Sequence, residues 1–303
     1  MSMNFSNLNL FLELFQNAQI PNCYLGIKYK DQDIIENTII NQTKNCLVHS
    51  HSLSPNYLDY SVNNEEYKLV KIKQANKGYA IDVGKFENVQ TFLQEHMSRR
   101  TRKSIRQSIR GLETSCKVSY RMYGNDISQD EYNVLFDELR VMLDKRFEQK
   151  NEADEKLSQW PEIKLGFYTA LKSKKAAMFV IYNSNIPIGI SLNYLANNIL
   201  FCWISSYNTD YAKFSLGYIN LYKVVEWGLE NNYKLIEWGY GDHDYKNKWS
   251  DIIYNFEHHI LYKKKSFKGV VLGKVECSKV YIKEFLKRSG MVDFMKKLKS
   301  KLT

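Results

Sequence analysis

The sequence predicts a mixed α/β (α+β) fold, with a mostly antiparallel central sheet flanked by helices and a smaller αβ module at the N-terminus. Three observations carry this expectation. Residues 176–207 spell three runs rich in Ile, Val, Phe and Tyr, broken by the turns NSNIP and ANN, which is the text of an antiparallel meander. A loop, a helix-like stretch and another apolar run follow over 208–240, the order of a βαβ crossover. Residues 23–83 alternate short β-branched and aromatic runs with Asn, Asp, Lys and Gly, again strands and turns.

Element by element, the spacing of Phe5, Leu8, Leu12 and Phe15 predicts a first helix over 5–18. NCYLGIKY, NCLVHSH, YKLVKIKQ and YAIDV read as separate strands. Residues 96–113 place Ile105, Ile109 and Leu112 on one helical face, and Arg99, Arg102, Arg106 and Arg110 on another, with no acid from His96 to Leu112. KVSYRMYG is strand-like. A helix over 128–150 follows, opened by Ser128 and Glu131 at capping-box spacing. WPEIKLGFYTALKSKK gives another helix, and the meander comes next. In INLYKVVEWGLENN a helix buries Leu221, Val224, Val225 and Leu229, and YKLIEWGYG and IIYNFEHHILYKK return as strands. Residues 263–303 read as one or two basic amphipathic helices. The expected organisation is 1–95, 96–262 and 263–303. The first module is either a degenerate copy of half the main fold or a docking module.

Composition narrows the setting. The five cysteines (Cys23, Cys46, Cys116, Cys202, Cys277) are odd in number, widely spaced and without a CxxC pair, so neither a disulfide framework nor a zinc site is expected. The start lacks a basic n-region and a cleavage site, and no apolar run approaches the roughly 20 residues of a spanning helix. A cytoplasmic protein is expected, at most peripheral on the inner membrane face. The formal net charge is +10, and residues 263–303, with 13 Lys and Arg against three acids, account for it. A neutral body argues against DNA binding. The tail reads as a solvated basic helix, as a membrane-surface helix with Phe285, Leu286, Met291, Val292, Phe294 and Leu298 opposite the lysines, or as a contact for a phosphate backbone.

The informative stretch is 205–249. Ser215 and Gly217 precede a helix whose first N–H groups lack internal partners and face a positive dipole end, so a pyrophosphate is favoured at Ser215, Leu216, Gly217, Tyr218 and Ile219. Tyr207, Tyr211, Ser215, Gly217, Gly239, Gly241, Tyr245-Lys246 and Trp249, together with the Arg-rich helix at 99–110, resemble the acyltransferases of the GNAT superfamily. The resemblance is to the branch of the cellulose-biosynthesis acetyltransferases and the FemAB-like aminoacyltransferases, and it covers about 96–262. It implies a GNAT-type fold, a donor lying between splayed central strands, and transfer of an acyl group, acetyl or longer, from acyl-CoA to an amine of a small polar or lipid-linked acceptor. The superfamily's Arg/Gln–x–x–Gly–x–Gly/Ala loop is here Lys213-Phe214-Ser215-Leu216-Gly217-Tyr218, with one Gly. That departure leaves the donor open between acetyl-CoA or another acyl-CoA, the first choice that the resemblance implies, and other activated donors. The alternatives are an aminoacyl-tRNA used on a cell-wall precursor, and a non-catalytic basic protein that binds membrane or nucleic acid.

Candidate roles follow from acyl-transfer chemistry, which needs a base for the amine, donors for the oxyanion and an acid for the leaving thiolate. His243 or Asp242, just past a strand end, are candidate bases, with Glu237 a third if buried. Tyr245 and Tyr207 are candidate acids. Lys246 suits a phosphate, and Arg99, Arg102, Arg106, Tyr211 and Trp249 are assigned to the substrate. Against these stand plain alternatives: a solvated turn for Asp242–Asp244, a solvated face for the Arg stripe, packing for any one Tyr. His258 and His259 alternate faces on a strand, and His49 and His51 share a face without an apparent third ligand, so no metal is expected.

Overall fold

The computed structural model describes residues 4–35, 39–40, 46–150, 158–241 and 243–291. The chain forms two compact units, one of residues 1–79, 240–243 and 253–303, the other of residues 80–239 and 244–252. The composition-based boundaries at 95 and 262 fall elsewhere, because the last strand and helix build onto strands from the start of the chain.

In chain order, β1 (Phe5–Asn9) leads into α1 (Leu10–Phe15). Then come β2 (Ile20–Pro21), β3 (Tyr24–Tyr29), β4 (Gln32–Asp33), β5 (Ile39–Ile40), β6 (Val48–Pro55), β7 (Asp59–Val62) and the long β8 (Tyr67–Ile81). The helices α2 (Val89–His96) and α3 (Arg99–Ser115) precede β9 (Val118–Tyr123), α4 (Gln129–Lys150) and α5 (Trp160–Lys172). The meander is β10 (Ala176–Asn183), β11 (Ile186–Ala196) and β12 (Ile199–Tyr207), followed by α6 (Leu216–Glu230) and β13 (Leu235–Tyr240). The chain closes with α7 (Asp244–Trp249), β14 (Ile252–Lys263) and α8 (Phe267–Arg288). The predicted mixed α/β fold, with a mostly antiparallel sheet flanked by helices, is the one observed.

In the first unit the strand order is β1-β6-β14-β8. β1 runs parallel to β6 and β14 antiparallel to it, with His259 opposite His51. Two small sheets, β4-β3-β7 and β2-β5, accompany them. The expected helix over 5–18 is therefore half strand. Pairing with β6 recruits Phe5–Asn9, and Asn9 then caps α1 by accepting from Leu12 N–H at 3.3 Å. YAIDV is not a strand of its own but the end of β8. α8 lies on β14 because residue 273 is glycine: a Cβ there would come within 2.4 Å of the Tyr262 ring. Val48, Ile72, Ile260, Tyr262 and Val280 form the core beneath it.

In the second unit the order is β13-β12-β11-β10-β9. β9 to β12 are antiparallel neighbours, and β12–α6–β13 is the predicted parallel crossover. Ile188 to Tyr194 of β11 are buried without a break, so both faces of the sheet are covered, with α4 and α6 packing on it. Ser128 caps α4 as predicted, its Oγ accepting from Glu131 N–H at 3.2 Å. The helix expected over 96–113 is α3, which begins at Arg99, and a separate helix, α2, ends at His96. Ser98 caps α3 by accepting from Thr101 N–H.

Candidate functional site

The fork between β12 and β13 is the feature that organises the second unit. Their parallel ladder carries three residue pairs, Ile199 with Leu235, Leu200 with Ile236 and Phe201 with Glu237. Both strands continue, β12 to Tyr207 and β13 to Tyr240, so they part after Phe201 and Glu237. A bulge bends β12 at the parting point. Against β11, Cys202 pairs with Asn193 and Ile204 with Leu192, leaving Trp203 unmatched.

Charged and titratable groups gather at this fork. Glu237 is fully buried, and its Oε1 accepts from Gly239 N–H at 2.7 Å. Gly239 holds a φ of 70°, a conformation that costs glycine nothing. Lys246 of α7 is also buried. Burial pushes the Cys202 thiol well above its usual range, with Glu237 adding to the push and Lys246 opposing it, which places both charges within electrostatic reach of the sulfur. Burial likewise raises the Tyr245 phenol. Cys202 reinforces this and Arg146 of α4 opposes it. The Arg146 guanidinium stands 5.5 Å from the centroid of the Tyr207 ring. Of the residues expected from sequence as acids, base and anion ligand, Glu237, Lys246 and Tyr245 thus lie within electrostatic reach of Cys202, while Tyr207, farther along β12, meets Arg146. Arg146 and Cys202 join them unannounced.

The start of α6 lies in the same unit. Ser215 precedes the helix in the left-handed region, at φ 53° and ψ 48°, and its side chain makes no cap. Its carbonyl accepts from Tyr218 N–H at 2.9 Å and from Ile219 N–H at 3.3 Å. The expected cradle of amides therefore narrows to Leu216 and Gly217, the first-turn donors that the helix itself does not bond. Leu216 and Ile219 bury their side chains in the core. The Tyr207 ring lies beside Gly217, 3.6 Å from where a Cβ would stand, which is ordinary contact distance.

Other predicted residues sit elsewhere or serve the fold. Trp249 is wholly buried, its ring 6.0 Å from Phe92 and 6.4 Å from Tyr218, so it is a packing residue. Arg102 donates to the carbonyls of Gln94, at 3.0 Å, and Met97, at 2.7 Å, closing the end of α2. Arg106 donates to Gln90 at 3.1 Å, while Arg99 is exposed. The Tyr211 hydroxyl accepts from Asn183 at 3.0 Å. His243 is exposed in the turn before α7, and Asp242 lies outside the described residues. In the first unit, a cavity of about 420 Å³ is lined by Ser50, His258, Glu276, Lys279 and Lys283 among others, none of them a predicted site residue.

Residues 99–247 match the family described as "Acetyltransferase (GNAT) domain". The match covers the meander, the crossover and the fork, so the chain carries a GNAT acetyltransferase domain and is an acyltransferase. No curated protein matches it. Among solved structures, FemX aligns at 9% identity over 71% of this chain and 73% of its own, with a TM-score of 0.49. L-PGS from Bacillus licheniformis aligns at 13% identity over 75% of this chain and 72% of its own, with a TM-score of 0.45. The tandem GNAT protein from the clavulanic acid biosynthesis pathway aligns at 10% identity over 72% of this chain and 65% of its own, with a TM-score of 0.39. At these levels none of the three speaks to the substrate.

Proposed function

We propose that the acetyltransferase (GNAT) domain moves an acetyl or longer acyl group from a coenzyme A thioester to the amine of a small polar or lipid-linked acceptor. The observation that carries this reading is the fork: a buried Glu237 and Lys246 stand where β12 and β13 part, in the same unit as the uncapped start of α6. Peptide groups released from a ladder can hydrogen-bond a thioester arm laid between the strands, and the amides of Leu216 and Gly217 suit its pyrophosphate.

In the transfer, the acceptor's nitrogen adds to the thioester carbonyl, the carbon–sulfur bond breaks, and the thiolate leaves. Glu237 takes the amine's proton, with Asp242 and the exposed His243 the other candidates. Tyr245 protonates the thiolate. Its raised pKa keeps the phenol protonated at neutral pH, the form that can donate. Tyr207, beside Arg146 and Gly217, is the second acid candidate. A thermal-shift series with CoA, acetyl-CoA and longer acyl-CoAs tests the donor. Ligand at about 100 times its dissociation constant adds roughly 2.7 kcal/mol, or a rise of about 5–10 °C in a domain of this size. No rise with any CoA species removes acyl-CoA as donor.

One observation favours a second donor. Arg99, Arg100, Lys103, Arg106 and Arg110 leave α3 with an exposed basic surface, suited to the backbone of an aminoacyl-tRNA. Stabilisation by charged tRNA and by no CoA species would select it.

The first unit supports a lipid-linked acceptor. Phe267, Val271, Val275, Ile282 and Phe285 are exposed along one face of α8, opposite buried Gly269, Gly273, Val280 and Glu284. Lys268, Lys279 and Lys283 flank that stripe, an arrangement suited to an anionic bilayer surface. No described helix is long and apolar enough to cross a membrane. Of the apolar tail residues expected from sequence, Val292, Phe294 and Leu298 lie outside the described residues. Flotation with vesicles containing phosphatidylglycerol, lost in Phe285→Ser or at high salt, checks this contact.

A further inference from the structure

Cys23, His49 and His51 of the first unit come together, although the sequence offered no third ligand for the two histidines. One ligand atom from each lies within 4.8 Å of the others, and all three residues are buried. Among the described residues, both ring nitrogens of His49 and Nε2 of His51 have no hydrogen-bond partner, though both rings are fully buried. Such atoms cost about 1–3 kcal/mol each unless something binds them.

The direction in which the His51 lone pair points follows from a chain of hydrogen bonds. Glu257, salt-bridged to Lys71 at 3.5 Å, is ionised and can only accept. His259 therefore donates to it from Nε2, at 3.1 Å. With the proton on Nε2, the ring's Nδ1 is an acceptor and the Tyr24 hydroxyl donates to it at 3.1 Å. The Tyr24 oxygen then accepts from His51 Nδ1–H, also at 3.1 Å. His51 Nε2 is left as a bare lone pair beside the Cys23 sulfur and the His49 ring. This is how a metal-ligating histidine is usually oriented, by a partner on its other nitrogen.

We propose that Cys23, His49 and His51 bind a divalent transition metal of the zinc type, with Tyr24 as the positioning residue. Imidazole and thiolate are its preferred donors, and bonds of roughly 2.0–2.3 Å need the three atoms to draw in by less than about 1.5 Å from their present span. On binding, Cys23 gives up its thiol proton to solvent and coordinates as thiolate, and the histidines coordinate through neutral ring nitrogens. The metal would join the segment before β3 to β6.

Cobalt(II) added to the full chain after chelator treatment tests this. About one cobalt per chain is expected, with a thiolate-to-cobalt charge-transfer band. Cys23→Ser must abolish the band, Cys202→Ser must leave it, and His51→Gln must weaken binding at least about tenfold. Tyr24→Phe should weaken binding by about 10–100-fold while keeping the band. If Cys23→Ser does not fold, the wild-type chain decides. Zinc must slow alkylation of Cys23 and leave that of half-exposed Cys116 unchanged. A chain that binds no cobalt, a band that survives in Cys23→Ser, or equal alkylation of Cys23 with and without zinc overturns the site.

Discussion

The fork of the second unit and the histidine cluster of the first are both buried polar clusters on a sheet, and they differ in what the sheet does around them. At the fork the ladder stops after three pairs, and a bulge at Trp203 bends one strand away, so Glu237 and Lys246 sit next to freed backbone. Around the histidines the ladder shifts once, between Glu257 and His259, and then resumes: β14 pairs with β6 on both sides of the shift, from Phe256–Pro55 to Tyr262–Val48. Two buried charges suit an opened sheet, where a polar guest can enter and be turned over. Neutral rings locked by Tyr24 and Glu257 suit a closed one, where a guest is held. Burial of polar groups is common to both, and the continuity of the ladder separates a site of turnover from a site of retention.

The largest expected effect tests the fork. Glu237→Gln keeps the side-chain shape and the Gly239 hydrogen bond but removes the base. Turnover measured by free-thiol release should fall about 10²–10⁴-fold with the folded state unchanged. If His243→Ala produces that loss and Glu237→Gln does not, proton transfer belongs to the exposed turn and the fork only binds.

The closed sheet is tested by acid. Burial holds His258 down at about 4 from the usual 6.5, despite Glu276 and Glu284, while Lys283 and His259 oppose its charging and Ser50 meets its Nε2 at 2.8 Å. Between those two values the unfolded chain binds the proton and the folded chain does not, so stability falls as pH drops from about 6.5 to 4. The loss is at most about 3 kcal/mol. His258→Gln should reduce that slope in the urea-denaturation profile, with buried His49, also held down at about 4, supplying part of the remainder; an unchanged slope would show that water reaches His258 in the folded chain.

Smaller effects sharpen the boundary between binding and structure. Ser215→Val places a β-branched residue at φ 53° and should cost about 1–2 kcal/mol or more, whereas Ser215→Gly should cost nothing in thermal melts. Equal melting of the two would mean that the turn rearranges. Arg102→Ala should lose about 1 kcal/mol of stability and leave CoA affinity unchanged, because its guanidinium is spent on Gln94 and Met97. A loss of affinity with no loss of stability would return Arg102 to the substrate.

The sequence shows the second unit more fully than the first because its information is local. The meander, the crossover and the Ser128 cap are each written within a few consecutive residues, and Tyr207, Tyr245, Glu237 and Lys246 lie along one short stretch. What was not legible depends on distant pairing. Phe5–Asn9 has a helical pattern, yet β6 draws it into a strand. Arg146 reaches Tyr207 from a helix some 60 residues earlier. Cys23, just before β3, meets His49 and His51 of β6 only through tertiary folding, so spacing rules for metal ligands have nothing to find. Trp249 and Arg102 show the opposite case: residue type suggests chemistry, while the core takes up the first and the end of α2 the second.

The interleaving of β14 between β6 and β8 has a consequence for synthesis on the ribosome. The first 79 residues emerge with a seat missing from their sheet, and the strand that fills it is translated after the whole second unit. Two unpaired strand margins must wait for it, exposed to neighbours in the polysome. Nascent chains stalled before residue 252 should therefore recruit chaperones through their earliest segment, even after their central portion has folded.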